Sequence, residues 1–219
     1  MKPVFRHITP LRLAAALLVC ALSGCALYPA VQVAGGAMTG YDAVVMADDY
    51  IPRQSVDGGS LHAVHDRTLE RRLRERLALN GLGDITAHVI DSNAYLLGCM
   101  ATRSRADNAV KTAVSVTGLR TVTVKFYPLP SEDQRLDDQA LTHTLTARLA
   151  ETDRLKRADL RVQVIEGNAI IVGRADDYSQ KTAAIAIAHE IGGIRDVVDY
   201  IRVPAPTGQA DDGRRLAAN

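Results

Sequence analysis

Two eight-residue stretches decide the fold: DSNAYLLG at residues 91–98 and EGNAIIVG at residues 166–173. They superimpose at a shift of 75 residues, and the same shift lays VTGLRTVTV (116–124) on IGGIRDVVD (191–199). Upstream, DRTLERRLRERLA (66–78) falls on DQALTHTLTARLA (138–150) at a shift of 72. The difference is a slightly longer loop before the first strand of the second copy. Two shifts that each hold over whole elements describe one structural unit present twice.

Each unit reads the same way. Leu69, Leu73 and Leu77 recur every fourth residue, as do Leu141, Leu145 and Leu149. That spacing puts each trio on one face of a helix. Asn80-Gly81 is a stop signal for the first of these helices. ITAHVI and LRVQVI alternate like half-buried strands. Ser92-Asn93 and Gly167-Asn168 supply turn chemistry, and AYLLG and AIIVG are the partner strands of hairpins. A second helix follows, with Ala109, Ala113 and Val116 or Ala184, Ala188 and Ile191 as its apolar face. Thr102 and Asp177 are its candidate N-caps, and Thr117-Gly118 and Gly192-Gly193 turn the chain into a last strand. The order helix, strand, strand, helix, strand, twice, predicts an α+β fold: two modules, each a three-stranded sheet with two helices on one face. The strand-helix-strand crossover makes its two strands parallel. Gly98, Gly118, Gly173 and Gly193 are the candidate structural glycines.

These residues resemble the BON domain. The likeness lies in the leading helix, the strand pair ending at Gly98 and Gly173, the alanine-rich helix, and the runs 118–122 (GLRTV) and 193–197 (GIRDV) before the last strand. The second copy matches better than the first. The resemblance covers about residues 52–204 and includes the lead-in IPRQSVDGGSL.

The N-terminus reads basic, then apolar, then small. Lys2, Arg6 and Arg12 precede an unbroken apolar run over 13–22. That run is about half of the ~20 residues a membrane-spanning helix needs and fits the core of a secretory signal. It closes on Leu22-Ser23-Gly24-Cys25, which resembles the bacterial lipobox. In that motif the chain is cut between Gly24 and Cys25, and the Cys25 thiol carries a diacylglyceryl group. Several acyl chains, at about 0.8 kcal/mol per buried methylene, hold a soluble body on a membrane. Ala26 in place of an aspartate points to the outer membrane under the enterobacterial sorting rule. Cys20 lies in the discarded segment, so Cys99 is the remaining thiol beside Cys25 and no intrachain disulfide forms.

Tandem BON units behind a lipobox resemble the dual BON-domain outer-membrane lipoproteins (the DolP, or YraP, group), related to the periplasmic OsmY, which lacks the anchor. The resemblance implies a non-enzymatic, periplasm-facing envelope protein. Its partners would be anionic phospholipid and the outer-membrane protein assembly or division machinery. The lipid contact in that family involves the leading helix of the second domain, where an aromatic of the relatives aligns with Ala140 here. The chain has no Trp, which weakens insertion among headgroups.

On this reading residues 1–24 are a lipoprotein signal peptide and 25–60 a lipidated N-terminus and flexible linker. Residues 61–128 form BON domain 1, 129–136 a linker, 137–204 BON domain 2 and 205–219 a disordered tail. Within the linker, residues 26–47 are apolar, with Gly36 and Gly40 at small-xxx-small spacing. Pro29, Gln32 and Asp42 interrupt them, which favours a Gly/Ala-rich tether over a membrane span.

The phospholipid-binding candidates are Ala140, Thr144 and Arg148 on the second leading helix and Arg154, Lys156 and Arg157 after it. Each cation near an anionic surface contributes on the order of 1 kcal/mol. Beside that reading stands a solvated charged loop, with Glu151, Asp153 and Asp159 cancelling part of the field. The first helix, with Arg67, Arg71, Arg72, Arg74 and Arg76 against Asp66, Glu70 and Glu75, reads as a solvated face with i,i+4 pairs, beside the alternative of a face toward lipid or a partner. His62, His65 and Asp66 precede or open a helix without an HExxH pattern, so no metal is expected. His189-Glu190 reads as a surface pair. No P-loop, GxSxG or dinucleotide fingerprint occurs, so neither an enzyme nor a cofactor is expected. Cleavage before Cys25 removes three of the 26 basic residues and none of the 25 acidic ones. A formal charge near −2 remains, without the basic bias that nucleic acid requires.

Overall fold

A computed structural model describes residues 41–46 and 59–204. The elements are β1 (Tyr41–Met46), α1 (Gly59–Leu79), β2 (Thr86–Ile90), β3 (Asn93–Cys99), α2 (Arg103–Val114) and β4 (Thr121–Tyr127). The second copy has α3 (Glu132–Glu151), a 3-10 turn (Asp153–Leu155), β5 (Asp159–Ile165), β6 (Asn168–Arg174), α4 (Tyr178–His189) and β7 (Asp196–Arg202). The fold is α+β with two like units, each a small sheet with helices on one face. β3 pairs antiparallel with β2 and parallel with β4; β6 pairs antiparallel with β5 and parallel with β7.

The leucine faces and alanine faces build each core. Leu69, Leu73 and Leu77 are buried against Ala109, Ala113 and the inner side chains of β2 to β4. Leu145 and Leu149 do the same in the second unit, with Leu141 half-buried beside them. Each buried leucine contributes about 2 kcal/mol of transfer free energy. Alanines on α2 and α4 let those helices lie close on the sheet. Thr102 and Asp177 cap them, accepting from the amides of Arg105 and Gln180.

The hairpins turn one residue earlier than Ser92-Asn93 and Gly167-Asn168. Asp91 and Ser92 have φ of 51° and 61°, and Glu166 and Gly167 have 51° and 72°. Three of these are not glycine, and such a conformation is costly for them. The leading helix supplies the compensation. The Asp66 carboxylate accepts from the amides of Asp91 (2.8 Å) and Ser92 (2.9 Å). Asp138 accepts from those of Glu166 (2.7 Å) and Gly167 (2.8 Å). The asparagines instead fold their side-chain amides back onto the carbonyls of the turn.

Two expectations about the connecting segments are corrected. The stretch 25–60 is not wholly linker. Tyr41–Met46 adds antiparallel to β4, giving the first sheet four strands in the order β1-β4-β3-β2, and α1 starts at Gly59. The uncovered edge of β4 offers backbone groups that a tether can pair with, and Ala43 buries its side chain in the core. Tyr41 stacks on Phe126 and donates to Asp107 at 3.0 Å. The linker 129–136 is also shorter, because α3 begins at Glu132. Ser131 and Gln134 form a reciprocal capping box, an S-x-x-Q signal legible in the sequence.

The sheet faces opposite the helices meet each other. Ile90, Tyr95, Leu97 and Tyr127 of the first sheet form one buried cluster with Ile165, Ile170 and Val172 of the second. The Tyr95 and Tyr200 rings lie 5.1 Å apart within it. The two units thus share a third core and stack as helices, sheet, sheet, helices.

Candidate lipid-contact helix and its basic flank

With both sheet faces covered, the exposed faces of the helices are the broad surfaces left. The two leading helices differ there. On α1 the exposed positions from 67 to 76 include Arg67, Arg71, Arg72, Arg74, Glu75 and Arg76. At the aligned positions α3 carries Gln139, His143, Thr144, Thr146, Ala147 and Arg148. From Gln139 to Ala147 the helix carries no Asp, Glu, Lys or Arg. Thr144 and Thr146 donate their hydroxyls to the carbonyls of Ala140 and Thr142, which lowers the polarity they show outward.

The sequence-predicted residues fall into two groups. Ala140, Thr144 and Arg148 share one exposed stripe of α3, since they recur every fourth residue, and Leu136 (52% exposed) continues it. Arg154, Lys156 and Arg157 follow in and after the 3-10 turn, all exposed. Their fields are not equal. Lys156 pairs with Asp153 at 2.6 Å, and Arg157 holds the Asp176 carboxylate at 2.7 and 2.9 Å. That hydrogen bond, then the charge of Arg157, pulls the Asp176 carboxyl below its usual range. Arg148 lies 3.8 Å from Glu190 on α4. Arg154 makes no ion pair or hydrogen bond among the described residues. Arg161, next in the sequence but on β5, is drawn away into the junction between the sheets. There it donates to Glu70 at 2.6 Å.

A crevice of about 290 Å³ opens beside Ala140, lined by Gln134, Asp137, Asp138, Leu141, Glu166, Gly193 and Arg195 among others. Gly193 (φ +99°) and Gly118 (φ +101°) each bring the chain against the first leucine of a leading helix. A Cβ there would lie 3.1 Å from Leu141 or Leu69. Gly173 is held by close approach, since a Cβ would stand 2.0 Å from the Asp159 carbonyl oxygen. Gly98 has only ordinary contacts, the nearest at 3.8 Å.

The remaining candidates disperse. Both oxygens of Asp66 serve the β2–β3 turn and are not free to join His62 and His65. His189 and Glu190 end α4 on the surface. Burial pushes the Cys99 thiol up and away from reactivity. Cys25, Gly24, the signal segment and the tail 205–219 lie outside the described residues. Among those that are described, no helix is long and apolar enough to cross a membrane. The signals missed in the sequence are the charge contrast between 67–75 and 139–147, and the first residue of each leading-helix repeat, Asp66 and Asp138.

Each module ties its own hairpin to its leading helix through an aspartate, Asp66 in the first and Asp138 in the second. The family described as the BON domain matches residues 65–126 and 137–205, and the chain belongs to it. That family is generally non-catalytic. Over 123 residues the chain is 25% identical to Osmotically-inducible protein Y of Escherichia coli (strain K12), a distant relative. The match covers 54% of this chain and spans 61% of that protein's length. Among solved structures, CdsD, a structural protein of the type III secretion system of Chlamydia trachomatis, is 13% identical. It covers 70% of this chain and 69% of its own, with a TM-score of 0.28. The C-terminal domain of CdsD gives 16% identity, 64% and 67% coverage and a TM-score of 0.27.

Proposed function

We propose that this chain is a lipid-anchored envelope protein, held at the outer membrane by acylated Cys25 and facing the periplasm. Its second BON domain binds anionic phospholipid and so supports the integrity of that membrane. The observation that carries the reading is the exposed, uncharged stripe of α3, Leu136, Ala140 and Thr144, which runs into Arg148 and Arg154. A helix lying on a bilayer needs a face that loses little on leaving water and cations to meet phosphates. α1 has the cations without the uncharged face. Lys156 and Arg157 add less than their number suggests, because aspartates already hold them.

Flotation tests this directly. Protein lacking the acyl group should float with vesicles containing anionic phospholipid at low salt and not with zwitterionic ones. Arg148→Glu together with Arg154→Glu should weaken binding at least tenfold, and Lys156→Glu with Arg157→Glu should do so less. Equal flotation by all variants, or none by the wild type, would refute the reading. Mass spectrometry of the mature N-terminus checks the anchor separately. A second reading is a tethered scaffold that docks envelope assembly or division partners. It is favoured by the exposed charged face of α1, and it predicts full function without flotation.

A further inference from the structure

The two leading helices fold alike but carry different charge. On α1, Arg67, Arg71, Arg72 and Arg76 are exposed. Arg67, Arg71 and Arg72 make no ion pair or hydrogen bond among the described residues, and Arg76 reaches only the Ser115 hydroxyl, at 3.4 Å. Glu75, also exposed, stands one turn from Arg71 and Arg72 and pairs with neither. The other acids of this stretch are buried and engaged elsewhere. Asp66 holds the amides of the β2–β3 turn, and Glu70 holds Arg74, Arg161 and the Val89 amide. Lys111 on α2, exposed and without an ion pair among the described residues, lines a cleft with Asn80 beside the end of α1. The outer face of α1 therefore lacks the ion pairing its sequence allows. What stands at i,i+4 spacing is Arg67 by Arg71 and Arg72 by Arg76, and like charges so placed destabilise a helix.

The fold does not require these arginines. At the aligned positions α3 has Gln139, His143 and Thr144 for Arg67, Arg71 and Arg72, over an equivalent leucine face. A bilayer does not match them either. From Arg67 to Arg76 no exposed residue is apolar, and a helix lying on a membrane needs an apolar face. The helix layers lie on opposite sides of the stacked sheets, so with α3 on a bilayer α1 points away from it. Every base from 67 to 76 is an arginine, whose planar fork suits paired contacts to carboxylates better than a lysine does. Arginines four residues apart stand about 6 Å apart along the axis, the spacing of carboxylates four residues apart on a second helix.

We propose that the outer face of α1 docks an acidic helical segment of a partner protein, with carboxylates at i,i+4 spacing set against Arg67, Arg71, Arg72 and Arg76. Docking relieves the repulsion among these arginines, which the free chain bears without compensation. The inference supplies the partner chemistry of the scaffold reading above. Only the direction in which α1 points rests on the lipid reading of α3; the charge argument stands without it.

The test gives α1 the residues of α3, as Arg67→Gln/Arg71→His/Arg72→Thr, in protein lacking the acyl group. The probe is a labelled helical peptide with glutamates at i,i+4 spacing, and its glutamine analogue is the control. At physiological ionic strength the wild type should bind the acidic peptide and not the analogue. The triple variant should bind at least tenfold more weakly, with a thermal midpoint equal to or above that of the wild type. Arg71→Gln alone serves if the triple variant loses stability. Glu75→Ala should tighten binding severalfold, and Arg148→Glu with Arg154→Glu should leave it unchanged. The proposal is overturned if the acidic peptide does not bind or if the triple variant binds it as well as the wild type does. It also falls if the triple variant stops floating with anionic vesicles, since α1 would then be the lipid face. Peptide binding by a wild type that does not float would uphold the proposal and refute the lipid reading alone.

Discussion

At the scale of single residues, the glycines of the two repeats look equivalent in sequence and are not equivalent in space. Gly173→Ala forces a methyl into the Asp159 carbonyl and should cost about 2–4 kcal/mol, the range of overpacked or strained sites. Gly98→Ala meets only van der Waals neighbours and should stay within about 1 kcal/mol of the wild type. Urea unfolding of the two variants measures the difference. Asp138 carries a second prediction. Asp138→Ala strips the acceptor from two amides of a turn with positive φ and should destabilise by about 2–3 kcal/mol. Asp138→Asn should recover part of that loss by accepting one of the bonds. The alignment of 66–78 on 138–150 displays both aspartates, but their task is invisible there because the amides they hold are 25 to 29 residues away.

At the scale of elements, the leading helices, hairpins and crossover strands follow from periodicity and turn residues, and β1 does not. Residues 41–46 (YDAVVM) carry no strong strand signature, and an acid sits second. They become a strand because β4 has an open edge. The matching edge of β7 is closed by its own side chains. Val197 and Ile201 donate their amides to Asp196 and Asp199, each at 2.8 Å, and Lys181 donates to the Ile201 carbonyl at 3.1 Å. Edge strands are commonly protected in this way. Ala43→Asp should expel β1, since it buries a charge against Val124 and its neighbours. The expected signature is fast hydrogen exchange at the β4 amides facing β1 and a loss of about 2–3 kcal/mol.

At the scale of the whole molecule, the shared core makes two repeats into one cooperative body. Leu97 and Ile170 are almost wholly buried between the sheets. Wild-type protein should unfold in a single transition. Leu97→Asp should split it in two, as separate melting of the domains replaces joint melting, which calorimetry would resolve.

The rim of the same junction gives a pH dependence. His88 sits beside Arg161, Glu70 and Arg74, with Asp159 near. Burial, then the Arg161 charge, brings it from 6.5 to about 4, against a smaller upward pull from Glu70. The unfolded chain binds the proton more readily, so this contribution is full above about pH 6.5 and is lost as pH falls towards 4. It amounts to about 3 kcal/mol. Urea midpoints at pH 7 and pH 4.5 should show the drop, and His88→Phe should flatten it.

By itself the sequence determined the repeat, the order of elements within it, and the helix faces and caps. These rest on local spacing, and local spacing survives in one dimension. Tertiary structure alone decided the face-to-face stacking of the sheets, the recruitment of β1 and the withdrawal of Arg161 from the basic flank. Each depends on which groups are left unpaired once the units have folded. Unpaired edges and faces exist only in three dimensions, so no pattern along the chain records them.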